Sequence, residues 1–164
     1  MADDARDDGS VIGRQYPAKG VILSTDMHLV LWCTVLADQR DATWVAQDQV
    51  MQAFVEIWSQ DTMRWSVGDF VLMPNHLHFF CRPRKITDDL SVERWTGYWK
   101  DRLTKKLGHP LWRMKEGLFH TRIRSDAHYQ NRMEYLCQNP VKAGLVERAE
   151  DWPWRGKIGE MKVE

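Results

Sequence analysis

The stretch that most constrains the fold is "RWSVGDFVLMPNHLHFFCRP", residues 64–83. It has the branched and aromatic content of strands, and Pro74 and Pro83 punctuate it, so it reads as a hairpin or as two consecutive strands. Upstream, "HLVLWCTVLA", residues 28–37, is a short apolar run bounded by charged residues, as a buried strand would be. Between the two, Val50, Met51, Phe54, Val55 and Trp58 recur at three- and four-residue spacing, one face of an amphipathic helix. From Thr87 the helical pattern returns. Trp95, Trp99, Leu103 and Leu107 lie four apart, and Gly108 and Pro110 stop it. A short strand, "LFHTRIR", and a helix, "SDAHYQNRMEYLCQN", precede "PVKAGLV" and a Trp-Pro-Trp segment. Strands separated by helices in so short a chain predict an α+β layer, one sheet covered by two or three helices.

The 164 residues, 43% of them hydrophobic, suffice for one packed core, because two domains would each be too small to bury much surface. Residues 19–155 are expected to form that domain. Residues 1–18 are polar and charge-rich and read as a disordered tail, and 156–164 as a C-terminal tail. The first ten residues, "MADDARDDGS", are acidic where a signal peptide would be basic and then apolar, and no long apolar run follows. The expectation is a soluble, cytoplasmic protein without a membrane partner. Cys33, Cys81 and Cys137 form no C-x-x-C pair and no compact Cys/His cluster, so they read as reduced thiols. Formal net charge is zero, but beyond the first ten residues 22 basic face 19 acidic residues. The excess is local: "YWKDRLTKKLGHPLWRMK", residues 98–115, holds six Lys/Arg and one Asp.

Within the predicted hairpin, "MPNHLHFF", residues 73–80, sets two histidines one residue apart. On a strand His76 and His78 project from one face while Leu77 turns to the other. Two neutral imidazoles side by side can grip one divalent ion; they can equally be hydrogen-bonded polar residues of an exposed strand.

The string "VLMPNHLHFF" resembles the His-hydrophobic-His (HUH) motif of single-tyrosine transposases, in the Met-Pro-Asn-His-x-His form of the REP-associated tyrosine transposases. "YLCQNPVKAGLV", residues 135–146, resembles the same family's Tyr-x-x-x-Asn-Pro-Val-Lys/Arg-x-Gly-Leu-Val segment. The resemblance runs from about His28 to Trp154 and takes in "GLFHTRIRS" and the Trp-Pro-Trp, but not the acidic first twenty residues. It implies a ferredoxin-like antiparallel sheet with helices packed on it, the histidines on a central strand and the tyrosine on a later helix. It further implies cleavage of single-stranded DNA beside hairpins with Mg²⁺ or Mn²⁺, through a covalent 5′-phosphotyrosine and a released 3′-OH.

Such a reaction needs a Lewis acid on a non-bridging oxygen, an in-line nucleophile and a stabilised leaving oxygen. His76 and His78 would hold the metal, and Asn139 is the candidate third ligand, one helical turn after Tyr135. Pro140 disfavours helical geometry at Asn139, which would then sit at a helix end, where a capping role is the alternative. Tyr135 would be the nucleophile, a phenol that must be activated because its unperturbed pKa is about 10. Tyr16, Tyr98 and Tyr129 read as core fillers. Lys100, Arg102, Lys105 and Lys106, extended by Arg113, Lys115, Arg122 and Arg124, could track a DNA backbone or be ordinary solvated residues. Trp95 and Trp99 belong to the apolar stripe, Trp152 and Trp154 could be core or base platforms, and His120 and His128 could touch the site. The competing readings are a hairpin-DNA binder without chemistry and a metal-dependent phosphodiesterase without a covalent step. Monomer and homodimer both remain open.

Overall fold

Among the described residues hydrophobic periodicity resolves into nine elements. The computed structural model describes residues 29–60, 62–85 and 91–162; the expected 1–18 tail, residues 19–28 and Thr87 lie outside them. In chain order the elements are β1 (Leu31–Leu36), α1 (Asp48–Trp58), β2 (Trp65–Met73), β3 (His76–Pro83), α2 (Val92–Leu107), β4 (Phe119–Arg122), α3 (Asp126–Lys142), a 3₁₀ turn (Ala149–Asp151) and β5 (Arg155–Lys157). All strand pairs are antiparallel in the order β4-β1-β3-β2-β5. The unit β1-α1-β2-β3-α2-β4 in that order is the ferredoxin-like arrangement. The described residues form an α+β fold, a five-stranded antiparallel sheet with three helices, as the sequence pattern predicts.

Residues 64–83 form a hairpin closed by Pro74 and Asn75, with Met73 opposite His76. Proline fits there because its φ is already fixed and the turn asks no hydrogen bond of its nitrogen. The turn is tied down from the β1–α1 connection: Ala37 N–H donates to Asn75 O (2.8 Å) and Val45 N–H to Pro74 O (3.1 Å). Asn75 Nδ2 donates in return to Arg40 O (3.2 Å). Further along, the β2–β3 register shifts between Val67 and Phe70. A side chain on Gly68 in this bulge would meet Met161, its Cβ lying 2.6 Å from Met161 Cγ, so glycine lets the chain beyond β5 pack closely.

Strand alternation sorts the side chains into two layers. Cys33, Val35, Leu77, Phe79 and Cys81 face α1 and α2, and pack with Phe54, Trp58, Trp95, Trp99 and Leu103. Of the helical stripe expected on α1, Val50, Phe54 and Trp58 are fully buried and Met51 and Val55 lie half-buried at its margin. α2 starts on a Ser91 cap that accepts from Arg94 N–H and ends at Gly108, whose φ of 62° is left-handed. On the other layer Val30, Trp32, Val71, Met73 and Phe80 pack against Leu136 of α3 and Trp152.

The C-terminal segment belongs to the sheet. β5 pairs with β2 through Lys157–Asp69, Gly156–Phe70 and Arg155–Val71, which corrects the expected tail from residue 156. The edge of β2 has unpaired backbone groups to satisfy, and β5 meets that demand. Trp152 Nε1 donates to Leu72 O (2.9 Å) and Trp154 Nε1 to Asp48 Oδ1 (2.9 Å). Both tryptophans therefore serve the fold.

Candidate active site

β3 brings His76 and His78 to one face of the sheet, ring centroids 4.9 Å apart, with Leu77 in the opposite core. His78 is buried, its Nδ1 lying 2.7 Å from Thr34 Oγ1 across the β1–β3 pair. Its ring stacks on Trp32 at 5.0 Å and an interplanar angle of 18°. Its Nε2 is buried without a hydrogen-bond partner. An unmatched buried ring nitrogen is costly unless something meets it, and in the tautomer whose Nδ1–H donates to Thr34 Oγ1 that nitrogen carries a lone pair. His76 Nδ1 lies 2.7 Å from Asn75 Oδ1, an acceptor only, so the imidazole donates there and its Nε2 is also left as a base.

Burial holds the His76 pKa down to about 4. His78 is pushed well below the usual histidine range, first by burial, then by the charges of His76 and Arg132. Both rings are neutral at neutral pH, the form that binds metals.

α3 supplies the opposite wall. Ser125 caps it, accepting from His128 N–H at 3.1 Å. Tyr135, at the middle of the helix, places its ring 5.4 Å from His78 and 5.9 Å from Trp32. Asn139 follows one turn later on the same stripe and is buried. The expected helix end at Asn139 is not found: α3 continues through Pro140 to Lys142. Pro140 is so near the C-terminus that only one turn follows it, and Ala143 N–H still closes on Asn139 O (3.0 Å). Gly144, at φ 73°, then turns the chain.

Two residues of this wall were not among the candidate site residues, although Lys142 fills the Lys/Arg position of the 135–146 segment. Arg132, three before Tyr135, is buried with its guanidinium 5.6 Å from the Trp32 ring centroid and 5.9 Å from that of Tyr135. Lys142, seven after, places Nζ 5.5 Å from the Tyr135 ring.

The basic residues expected to track DNA are dispersed. Lys100, Arg102, Lys105 and Lys106 ride on α2, which covers the sheet face away from the histidines. Each is engaged there: Lys100 donates to Lys115 O (2.6 Å) and Gly117 O, Lys105 pairs with Asp101 and Lys106 with Glu56, and Arg102 lies over Tyr98. Arg113 and Lys115 come to the His76 end of the sheet, because Asp38 N–H bonds Arg113 O and Lys115 N–H bonds Leu36 O, and Leu36 pairs with His76. Arg122 lies opposite Leu31 at the far end of β1, and Arg124 is exposed beyond β4. His120 is buried in the α2 layer with Nε2 3.3 Å from Glu93 Oε1, outside the site. His128 Nδ1 accepts from Arg124 N–H at the start of α3.

An antiparallel α+β domain thus sets a histidine pair against a helical tyrosine. The chain is similar to proteins named REP-associated tyrosine transposase. It is 26% identical over 106 residues to a protein of Haemophilus influenzae named putative REP-associated tyrosine transposase, covering 57% of this chain and 59% of that one. It is 29% identical over 91 residues to the REP-associated tyrosine transposase of Escherichia coli, covering 55% and 53%. The chain thus spans between half and three-fifths of the length of the curated relatives it matches. A solved structure of a REP-associated tyrosine transposase bound to a REP hairpin shares the fold, with a TM-score of 0.67 at 21% identity over 80% of this chain and 78% of that one. No family model matches. Among the described residues no helix is long and apolar enough to cross a membrane.

Proposed function

We propose that the chain is a REP-associated-type tyrosine transposase, a metal-dependent endonuclease and strand transferase that cleaves single-stranded DNA beside hairpins. The observation that carries this reading is the meeting of the Tyr135 ring with His78 at 5.4 Å, on the sheet face that His76 shares. A hairpin binder without chemistry has no use for a phenol set against two neutral imidazoles.

His76, His78 and Asn139 would hold Mg²⁺ or Mn²⁺. The orphaned Nε2 of His78 fits that role, because the ring is otherwise buried with half its polar capacity unused. When bound, the ion supplies a Lewis acid for a non-bridging phosphate oxygen. The protein's own groups do the rest. Thr34 and Asn75 fix the two ring orientations, and Trp32 holds His78 flat. Tyr135 Oη attacks phosphorus as the bond to the 3′ oxygen breaks; the phenolic proton leaves to solvent and the departing oxygen takes one up. The product is a 5′-phosphotyrosine and a 3′-OH, and the phosphotyrosine keeps the strand ready for resealing or transfer without a nucleotide cofactor.

End-labelled single-stranded hairpin oligonucleotides, incubated with Mn²⁺ or EDTA, test this directly. A covalent protein–DNA band is expected that needs metal and falls at least about 10³-fold in Tyr135→Phe and His76→Ala. Cleavage persisting in Tyr135→Phe would instead indicate a phosphodiesterase without a covalent step.

A further inference from the structure

Arg132, Tyr135, Asn139 and Lys142 follow one another at spacings of three, four and three along α3, which places them in one stripe of the helix. The stripe reads cation, phenol, amide, cation. Arg132 is 5% exposed, and its guanidinium lies against the indole of Trp32, the same ring that stacks on His78. Lys142 approaches the Tyr135 ring from the other side along the helix and its end is exposed. The Arg132 guanidinium is held in a water-poor layer. It is a sound choice for meeting an anion, because the planar fork, already oriented by stacking, loses little freedom when it binds phosphate oxygens.

Resting on the functional reading above, we propose that Arg132 is a further catalytic residue, contacting a non-bridging oxygen of the phosphodiester that Tyr135 attacks, with Lys142 as its exposed counterpart. As the Oη–P bond forms and the P–O3′ bond breaks, negative charge gathers on the non-bridging oxygens. Cations fixed on both sides of the phenol stabilise that charge without having to reorganise. Trp32 positions the guanidinium and His78 together, so the two halves of the site share one support.

The test compares wild-type protein with Arg132→Gln, Arg132→Lys and Lys142→Ala on hairpin oligonucleotides carrying either a phosphate or a neutral methylphosphonate at the position the wild type cleaves. Adduct formation on the phosphate should slow about 100-fold in Arg132→Gln and about 10-fold in Lys142→Ala, with partial recovery in Arg132→Lys. On the methylphosphonate, where the charge to be met is gone, both deficits should shrink. Deficits of equal size on the two substrates, alongside a lowered melting temperature, would show that Arg132 only supports the fold and would overturn the proposal. If the Arg132 variants do not fold, Lys142→Ala decides: an unchanged rate, or a loss that ignores the methylphosphonate, sinks it. Wild-type protein that forms no adduct on any hairpin refutes the functional reading itself, and this inference with it.

Discussion

On the sheet face covered by α1 and α2, aromatic side chains form a continuous mass: Trp58 lies 4.6 Å from Phe54, 5.4 Å from Phe70 and Phe79, and 5.6 Å from Trp99, centroid to centroid. The face under α3 is also tightly covered, yet Thr34, His78, Arg132 and Asn139 are buried there, four of the six buried polar or charged residues among those described. The other two, Thr96 and His120, belong to the α2 side, where His120 is answered by Glu93. One face thus spends its burial on apolar contact, which stabilises the fold. The other gathers buried polar and charged side chains around the histidine pair, among them the His78 ring whose Nε2 has no hydrogen-bond partner.

The sharpest way to break this comparison is to exchange its consequences. Trp58→Ala, in the aromatic layer, should lower unfolding free energy by about 3–5 kcal/mol through lost contact and a residual cavity. Denaturant titration checks it, and a loss below about 1 kcal/mol would mean that this layer is not the stabilising one. Thr34→Val, nearly isosteric on the site face, should weaken Mn²⁺ binding by about 10- to 100-fold by freeing the His78 ring. Calorimetric titration of the metal reads this, and unaltered affinity removes Thr34 from the site.

The histidines sharpen the contrast through pH. His76 titrates near 4 in the fold against about 6.5 unfolded, so the unfolded chain takes up its proton first as pH falls. The stability that the neutral ring contributes is therefore complete above about pH 6.5 and is lost progressively down to about pH 4. For His76 the loss between pH 7 and 5 is about 2 kcal/mol. His78, shifted in the same direction, steepens it. Denaturation in EDTA at stepped pH should show this slope, and His76→Gln should flatten its share; a wild-type profile that is flat over this range would contradict the burial argument.

The smallest effect separates the two groups of basic residues. Lys105→Ala removes an exposed pair with Asp101 and should change stability by no more than about 0.5 kcal/mol. If DNA is bound on the histidine face, hairpin affinity should also be indifferent to Lys105→Ala and should fall in Arg113→Ala. The reverse order would put the nucleic acid on α2.

Much of this architecture was legible in the sequence because periodicity reports burial directly. The run 64–83 carries the branched and aromatic content of strands with Pro74 at its turn, and Trp95, Trp99, Leu103 and Leu107 trace the buried line of α2. What periodicity does not report is which face of the sheet a helix covers, and so the basic residues of α2 could be recognised as a patch but not as one placed behind the site. Pro140 misled through a local preference that matters less within one turn of a helix end. β5 is three residues long and contains Gly156, too little for an alternating pattern to be visible. Arg132 and Lys142 escaped because a charge on an amphipathic helix ordinarily faces water. Only the packing of Trp32 and Tyr135 shows that Arg132 is turned inward and that the exposed Lys142 lies beside the Tyr135 ring on the same stripe.

The supports of the two imidazoles, Trp32, Thr34 and Asn75, all precede the histidines in the chain, whereas Tyr135 and Asn139 arrive on a helix that begins only at Asp126. During synthesis the hairpin with its histidine pair emerges first, and a chain interrupted before α3 carries the imidazoles with no phenol beside them. On the proposed chemistry, translation itself sets the order of risk to the genome: strand breakage waits until Tyr135 and Asn139, the second half of the site, have been made and docked.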